Sequence, residues 1–170
     1  MKKEIIYLGD SIIAWDGFLN NGNYGVPGFT TTDLLWKLQG NNDIIGDIVV
    51  LMIGVNDVLS DCSIKSINEN IEKIIELLKV KFKEIIVISI LPTMYKDINK
   101  NIIEINNVLS TYKNIKFLDI YSLFLGEEEK IDNKFSSDGV HLSTYAYDIL
   151  NKKIEEALHG NLPKMQRNIS

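Results

Sequence analysis

A single cysteine, Cys62, stands in the 170-residue chain, so it has neither an intrachain disulfide nor a cysteine-based metal cluster. An excess of basic charge is also missing. The 18 Lys and Arg are outnumbered by 23 Asp and Glu, for a formal net charge of −5. That balance offers no electrostatic footprint for nucleic acid or an anionic membrane. No apolar run approaches the ~20 residues of a membrane span. Met1-Lys2-Lys3-Glu4 leads directly into a short apolar stretch, without the longer apolar region and small-residue cleavage site of a signal peptide. These absences predict a cytoplasmic protein without a nucleic-acid partner or stable membrane association. Histidine is scarce as well: only His141 and His159 are present.

What is there is ordinary globular composition, 45% hydrophobic and 24% charged, in a chain long enough for one domain with a substantial core. Apolar, β-branched runs at Ile5–Leu8, Ile48–Ile53, Ile85–Ile90 and Ile115–Leu118 suit parallel strands covered on both faces. A further short strand is predicted near Asn23–Val26, bracketed by Gly22 and Pro27. Helical patterns alternate with these runs. Thr30 with Asp33 reads as a capping box opening a helix through Leu34, Leu35 and Leu38 to about Gly40. Ser66 with Glu69 reads as a second box, after which Ile67, Ile71, Ile74, Ile75 and Leu78 form one stripe. Asp97 is the expected cap of a third helix, and Ser143–Leu158 the expected fourth. Gly126–Lys134, with three consecutive glutamates, reads as an exposed loop. The alternation predicts an α/β fold, a three-layer α/β/α domain over residues 1–160 with a mainly parallel sheet. Residues 161–170 read as a polar tail.

Four short blocks carry chemistry-bearing residues. Gly9-Asp10-Ser11 follows the first strand, which places Ser11 at the carboxyl edge where open α/β sheets bind ligands. On its own the block is a weak signal, because any serine after a strand can simply cap the following turn. Asp10 is expected to shape that turn through its own backbone hydrogen bonds. Asn23 to Thr30 contains Gly25, Pro27 and Gly28 ahead of a capped helix. Gly28 either serves the turn's dihedral angles or exposes its N–H to a substrate oxyanion. The apolar run to Ile53 ends in Gly54-Val55-Asn56-Asp57. There Asn56 either closes the strand with its side chain or donates to an oxyanion. Ser137-Asp138-Gly139-Val140-His141 precedes the last helix. Asp138, three residues before His141, is spaced to reach the imidazole and hold its tautomer. His159 lies near a helix C-terminus, where the helix dipole accounts for it.

Together, in order from Gly9 to His141, the blocks resemble the SGNH-hydrolase family, also called GDSL-type esterases and lipases. The resemblance implies a flavodoxin-like sheet of about five strands. It implies Ser11 as nucleophile, His141 as general base and acid, and Asp138 as the group orienting His141. The Ser11 and Gly28 N–H groups and the Asn56 side chain would form the oxyanion hole. Such an enzyme is a serine esterase working through an acyl-enzyme, with no cofactor and no metal. A magnesium site built from Asp10, Asp57, Asp138 and His141 is a less economical reading. A non-enzymatic flavodoxin-like binding or receiver module is the alternative. It is disfavoured because Ser11-Ile12-Ile13-Ala14-Trp15 is not a phosphate loop and Ile53-Gly54-Val55-Asn56 lacks an acceptor aspartate. Trp15, Phe18, Phe29, Met94 and Tyr95 come from loops placed to rim a pocket, where each either contacts an acyl chain or sugar ring of the substrate or packs its loop onto the sheet. The expected substrate is a small soluble ester: an acetylated sugar, a short acyl ester, a thioester or a lysophospholipid.

Overall fold

The four apolar runs become the four strands of the computed structural model, which describes residues 3–19, 21–40 and 43–160. The polar segment 161–170 lies outside the described residues. Strands β1 (Ile5–Gly9), β2 (Ile48–Met52), β3 (Glu84–Ile88) and β4 (Lys116–Leu118) pair in parallel in that order. All five residues of β2 are buried, as a central strand covered on both faces requires. Among the described residues seven α-helices accompany the sheet: α1 (Ser11–Ala14), α2 (Thr31–Gly40), α3 (Val55–Leu59), α4 (Ile64–Lys81), α5 (Lys96–Leu109), α6 (Tyr121–Phe124) and α7 (Thr144–Leu158). Helix α4 packs between α2 and α5. Helix α7 is tied to α1 by the Tyr147 hydroxyl, which donates to the Ile12 carbonyl at 2.9 Å.

Among the described residues the sheet has four strands where the sequence predicts about five. The segment near Asn23–Val26 does run along the free edge of β1. Tyr7 N–H donates to the Gly22 carbonyl, and the Tyr24 and Val26 N–H groups donate to Tyr7 and Gly9. It amounts to one bridge, Tyr7 to Asn23, because Gly22 turns at a φ of +78° and Pro27 has no N–H to continue the ladder.

Helix starts show where local pattern and structure part. The Thr30 box forms as read: Thr30 N–H and hydroxyl both donate to Asp33 Oδ2, at 2.9 and 2.6 Å. The second box is displaced by one turn. Ser63 caps α4, accepting from Ser66 N–H at 3.2 Å, and Ser66 lies inside the helix because Ile64 adds a contact with the core. The stripe Ile67, Ile71, Ile74, Ile75 and Leu78 is buried as its spacing predicts. Asp97 is not the cap of α5. Tyr95 occupies that position without a side-chain bond, and Asp97 instead pairs with Lys100 at 2.8 Å. The entry to α5 is held from the side, by Asn99, whose amide accepts from Thr93 N–H at 2.7 Å and donates to Thr93 O at 2.8 Å.

One heptad further along the same face, buried Asn106 accepts from Ile90 N–H and donates to Ile90 O, both at 2.9 Å. Truncating Asn106→Ala leaves both peptide groups of Ile90 unpaired. At about 1–3 kcal/mol for each buried unsatisfied group, the loss should reach about 2–4 kcal/mol. The thermal midpoint, followed by circular dichroism, should then fall roughly 5–15 °C. An unchanged midpoint would show that the two bonds are dispensable.

Asp10 caps α1, its carboxylate accepting from Ile12 N–H at 2.9 Å, and it is 1% exposed. Burial pushes its carboxyl up to about 7, against the opposing pull of the Ile12 N–H and of His141. The folded state therefore keeps this proton to higher pH than the unfolded chain does. The stabilisation linked to Asp10 is complete below about pH 4 and is lost as pH rises through about 7. Asn is an equally good cap and does not titrate. Asp10→Asn should gain stability relative to the parent as pH rises across that window. Urea midpoints of the two proteins that stay the same distance apart from pH 4 to 7.5 would contradict the assignment.

Candidate active site

Four loops meet at the carboxyl edge of β1 and β2. The chain leaves β1, turns through α1 to the bridge at Asn23, and returns across to β2, so the sheet's direction of growth reverses between these two strands. Such reversals open a crevice at the strand ends. Ser11 is the first residue of α1, one residue beyond the Asp10 cap, and is 5% exposed. Asn56 lies in the first turn of α3, directly after β2. Gly28 belongs to the loop before α2, and Asp138 and His141 to the loop before α7.

His141 Nε2 lies 3.0 Å from Ser11 Oγ, and His141 Nδ1 lies 2.6 Å from Asp138 Oδ2. The three side chains thus form one continuous hydrogen-bonded line. Asp138 is itself fixed by its other oxygen. Oδ1 accepts from the N–H groups of Val140 and His141 at 2.9 and 2.8 Å and from the Ser136 hydroxyl at 3.3 Å. Ser136 Oγ in turn accepts from Gly139 N–H at 2.9 Å. Desolvation alone would raise the Asp138 carboxyl. The bonds from His141 and from the Val140 and His141 N–H groups outweigh it and hold the carboxyl well below the usual range. A carboxylate opposite Nδ1 stabilises the N–H at that nitrogen and leaves Nε2 to accept from the serine. Among the described residues the Asp10 carboxylate serves its own turn, in line with the humbler role expected of it. His159 is remote from this line, bonded to the Glu155 carbonyl at the end of α7.

The three groups named for the oxyanion hole come from three different loops. Val26-Pro27-Gly28-Phe29 closes as a tight turn, with Phe29 N–H donating to the Val26 carbonyl at 3.1 Å and Gly28 at a φ of +81°. A proline followed by a glycine at positive φ is what a type II turn requires. Neither the Gly28 nor the Ser11 N–H donates to another protein atom among the described residues. Asn56 Nδ2 donates one hydrogen to the Phe29 carbonyl at 2.9 Å. That bond fixes which way the amide points and leaves its second hydrogen free.

The residues expected to rim a pocket are placed variously. Trp15 is 54% exposed, with its ring centred 4.4 Å from the His141 ring at 41°. It sits one helical turn beyond Ser11, its N–H on the Ser11 carbonyl. Met94 donates its N–H to the Gly139 carbonyl at 2.8 Å, and its side chain fills the space a Gly139 Cβ would need. Phe29 is partly buried against the core, beneath Lys37 at 5.5 Å. Tyr95 and Phe18 are 49% and 58% exposed. Sequence reasoning missed Ser136, which pins Asp138, and Thr31, which bonds to Asp57. No local spacing marks either residue. Asp57, which the sequence offers only as a member of the less economical magnesium cluster, bonds to Thr31 instead.

The GDSL-like lipase/acylhydrolase family model matches residues 7–149. Among curated relatives, an N-acylneuraminate cytidylyltransferase of Streptococcus agalactiae is 29% identical over 88% of this chain but only 37% of its own length. The chain therefore spans little more than a third of the curated relatives that match first. The platelet-activating factor acetylhydrolase IB subunit alpha2 of Rattus norvegicus is 23% identical, over 92% of this chain and 76% of its own. Among solved structures, a GDSL-like lipase from Bacteroides thetaiotaomicron superposes with a TM-score of 0.84 at 23% identity, covering 93% of this chain and 88% of its own. A lipase/acylhydrolase from Enterococcus faecalis does so with 0.74 at 24%, covering 96% and 99%. At these identities the structural likeness speaks for the fold alone. The family model, which spans all four blocks, makes the chain a member of the GDSL-like lipase/acylhydrolase family of hydrolases.

Proposed function

We propose that this protein is a serine esterase that hydrolyses small carboxylic esters, acetyl or short-acyl, through an acyl-enzyme. The observation that carries the reading is the line from Ser11 Oγ through His141 to Asp138, with bonds of 3.0 and 2.6 Å. Ser11 Oγ attacks the ester carbonyl while His141 Nε2 takes its proton. The oxyanion is held by the N–H groups of Ser11 and Gly28 and by the free Asn56 amide hydrogen. His141 then gives the proton to the departing alcohol. Water, deprotonated by the same imidazole, releases the acid and restores Ser11. Asp138 keeps His141 in the tautomer that the first step needs and offsets the charge it gains. Trp15, Phe29, Met94 and Tyr95 are the side chains we assign to contact with the substrate.

The acetyl preference draws on the relative named platelet-activating factor acetylhydrolase. The relative named for N-acylneuraminate adds acylated sugars to the candidates.

The test is a chain-length series of nitrophenyl esters beside acetylated sugars, with Ser11→Ala as the blank. Turnover should be fastest with acetyl and abolished in the blank. Asn56→Ala should lose on the order of a hundredfold or more in kcat, about 3–4 kcal/mol of barrier, with a much smaller change in KM. Failure of the parent to turn over any ester, together with no labelling of Ser11 by a fluorophosphonate, would sink the reading.

A further inference from the structure

Asp57 is 2% exposed and takes no part in the steps above, yet both oxygens of its carboxylate are engaged. It accepts from Thr31 N–H at 2.9 and 3.1 Å and from the Thr31 hydroxyl at 2.6 Å, across 26 residues of sequence. The Thr31 hydroxyl also accepts from Asn70 Nδ2 at 3.1 Å, and the same amide donates to Thr32 at 3.0 Å. The first turns of α2 and α3 and the side of α4 are thereby joined at one buried point.

Helix capping alone does not account for this arrangement. Helix α2 already has a local cap in Thr30 and Asp33, and a buried carboxylate carries a desolvation cost that a neutral side chain would avoid. What the tie does is fix the separation of two loops. Asn56 directly precedes Asp57, and Gly28 lies three residues before Thr31. The Asn56-to-Phe29 bond of 2.9 Å forms a second strut between the same loops. An oxyanion hole is effective only when its donors are set in place before the charge develops.

Building on the esterase reading above, we propose that Asp57 is a positioning residue for the oxyanion hole, holding Asn56 and Gly28 at their working separation through Thr31. The bond is structural in form and catalytic in effect: with it weakened, substrate still binds, but the donors no longer meet the oxyanion together.

The experiment is a double-mutant cycle of Asp57→Asn with Asn56→Ala on the ester that the parent turns over best. Rates are counted per active site by exhaustive fluorophosphonate titration, so that unfolded molecules drop out. Asp57→Asn should lower kcat on the order of ten- to a hundredfold, with KM changed less than about twofold. The double mutant should fall well short of the product of the two losses, because both act on one device. Thr31→Val, which keeps the volume but removes the hydroxyl, should lower kcat in the same way. It replaces Asp57→Asn in the cycle if that variant does not fold. Losses that multiply, or an unchanged kcat in Asp57→Asn or Thr31→Val, would overturn the proposal while leaving the esterase reading intact. A parent inert toward every ester would overturn the esterase reading itself.

Discussion

The parallel pairing of β1 with β2 is the constraint on which the candidate site depends. Their register sets Gly9 beside Met52, so the two chains emerge from the sheet at the same level. Ser11 follows one strand and Asn56 the other within a single turn. The pairing joins backbone hydrogen bonds of the parallel ladder to the burial of nearly every residue in both strands. The buried ladder therefore sets the level of the site, and polar side chains shape it above, where the strands have ended.

Above the strand ends, buried polar side chains act as pegs that turn mobile loops into fixed ones. Asp10 holds the start of α1, Asn106 and Asn99 hold the chain leaving β3, Asp57 holds the start of α2, and Ser136 holds Asp138. A buried acceptor or donor that loses its partner is expensive, so each peg favours one loop conformation over all others. The cost of such groups is visible in Asp10 and Asp57, whose carboxyls are both raised by burial.

Legibility in the sequence follows the range of the interactions. The four strands were readable because continuous β-branched runs have few other solutions, and the α4 stripe because its period is local. The Thr30–Asp33 box and the spacing from Asp138 to His141 were readable for the same reason, since both bonds close within three residues. The cap of α4 was misplaced because Ser63 and Ser66 each suit the position and a core contact by Ile64 decides between them. Asp97 looked like a cap until Asn99, reaching back to Thr93, made a cap unnecessary. The expected fifth strand kept its hydrogen bonds but not its length. The tie from Asp57 to Thr31 and the placement of Trp15 on His141 join residues far apart in the chain, and no pattern within either segment announces them.

The bond between Ser11 and His141 spans 130 residues, and the one between Tyr147 and Ile12 spans 135. The first element of the fold is thus completed by the last. During synthesis Ser11 leaves the ribosome long before His141, and β1, β2 and β3 can pair while α7 is still unmade. Loop closure over such a separation comes late in folding. The line from Ser11 through His141 to Asp138 is therefore the last feature the fold acquires, closing only when segments 130 residues apart have met.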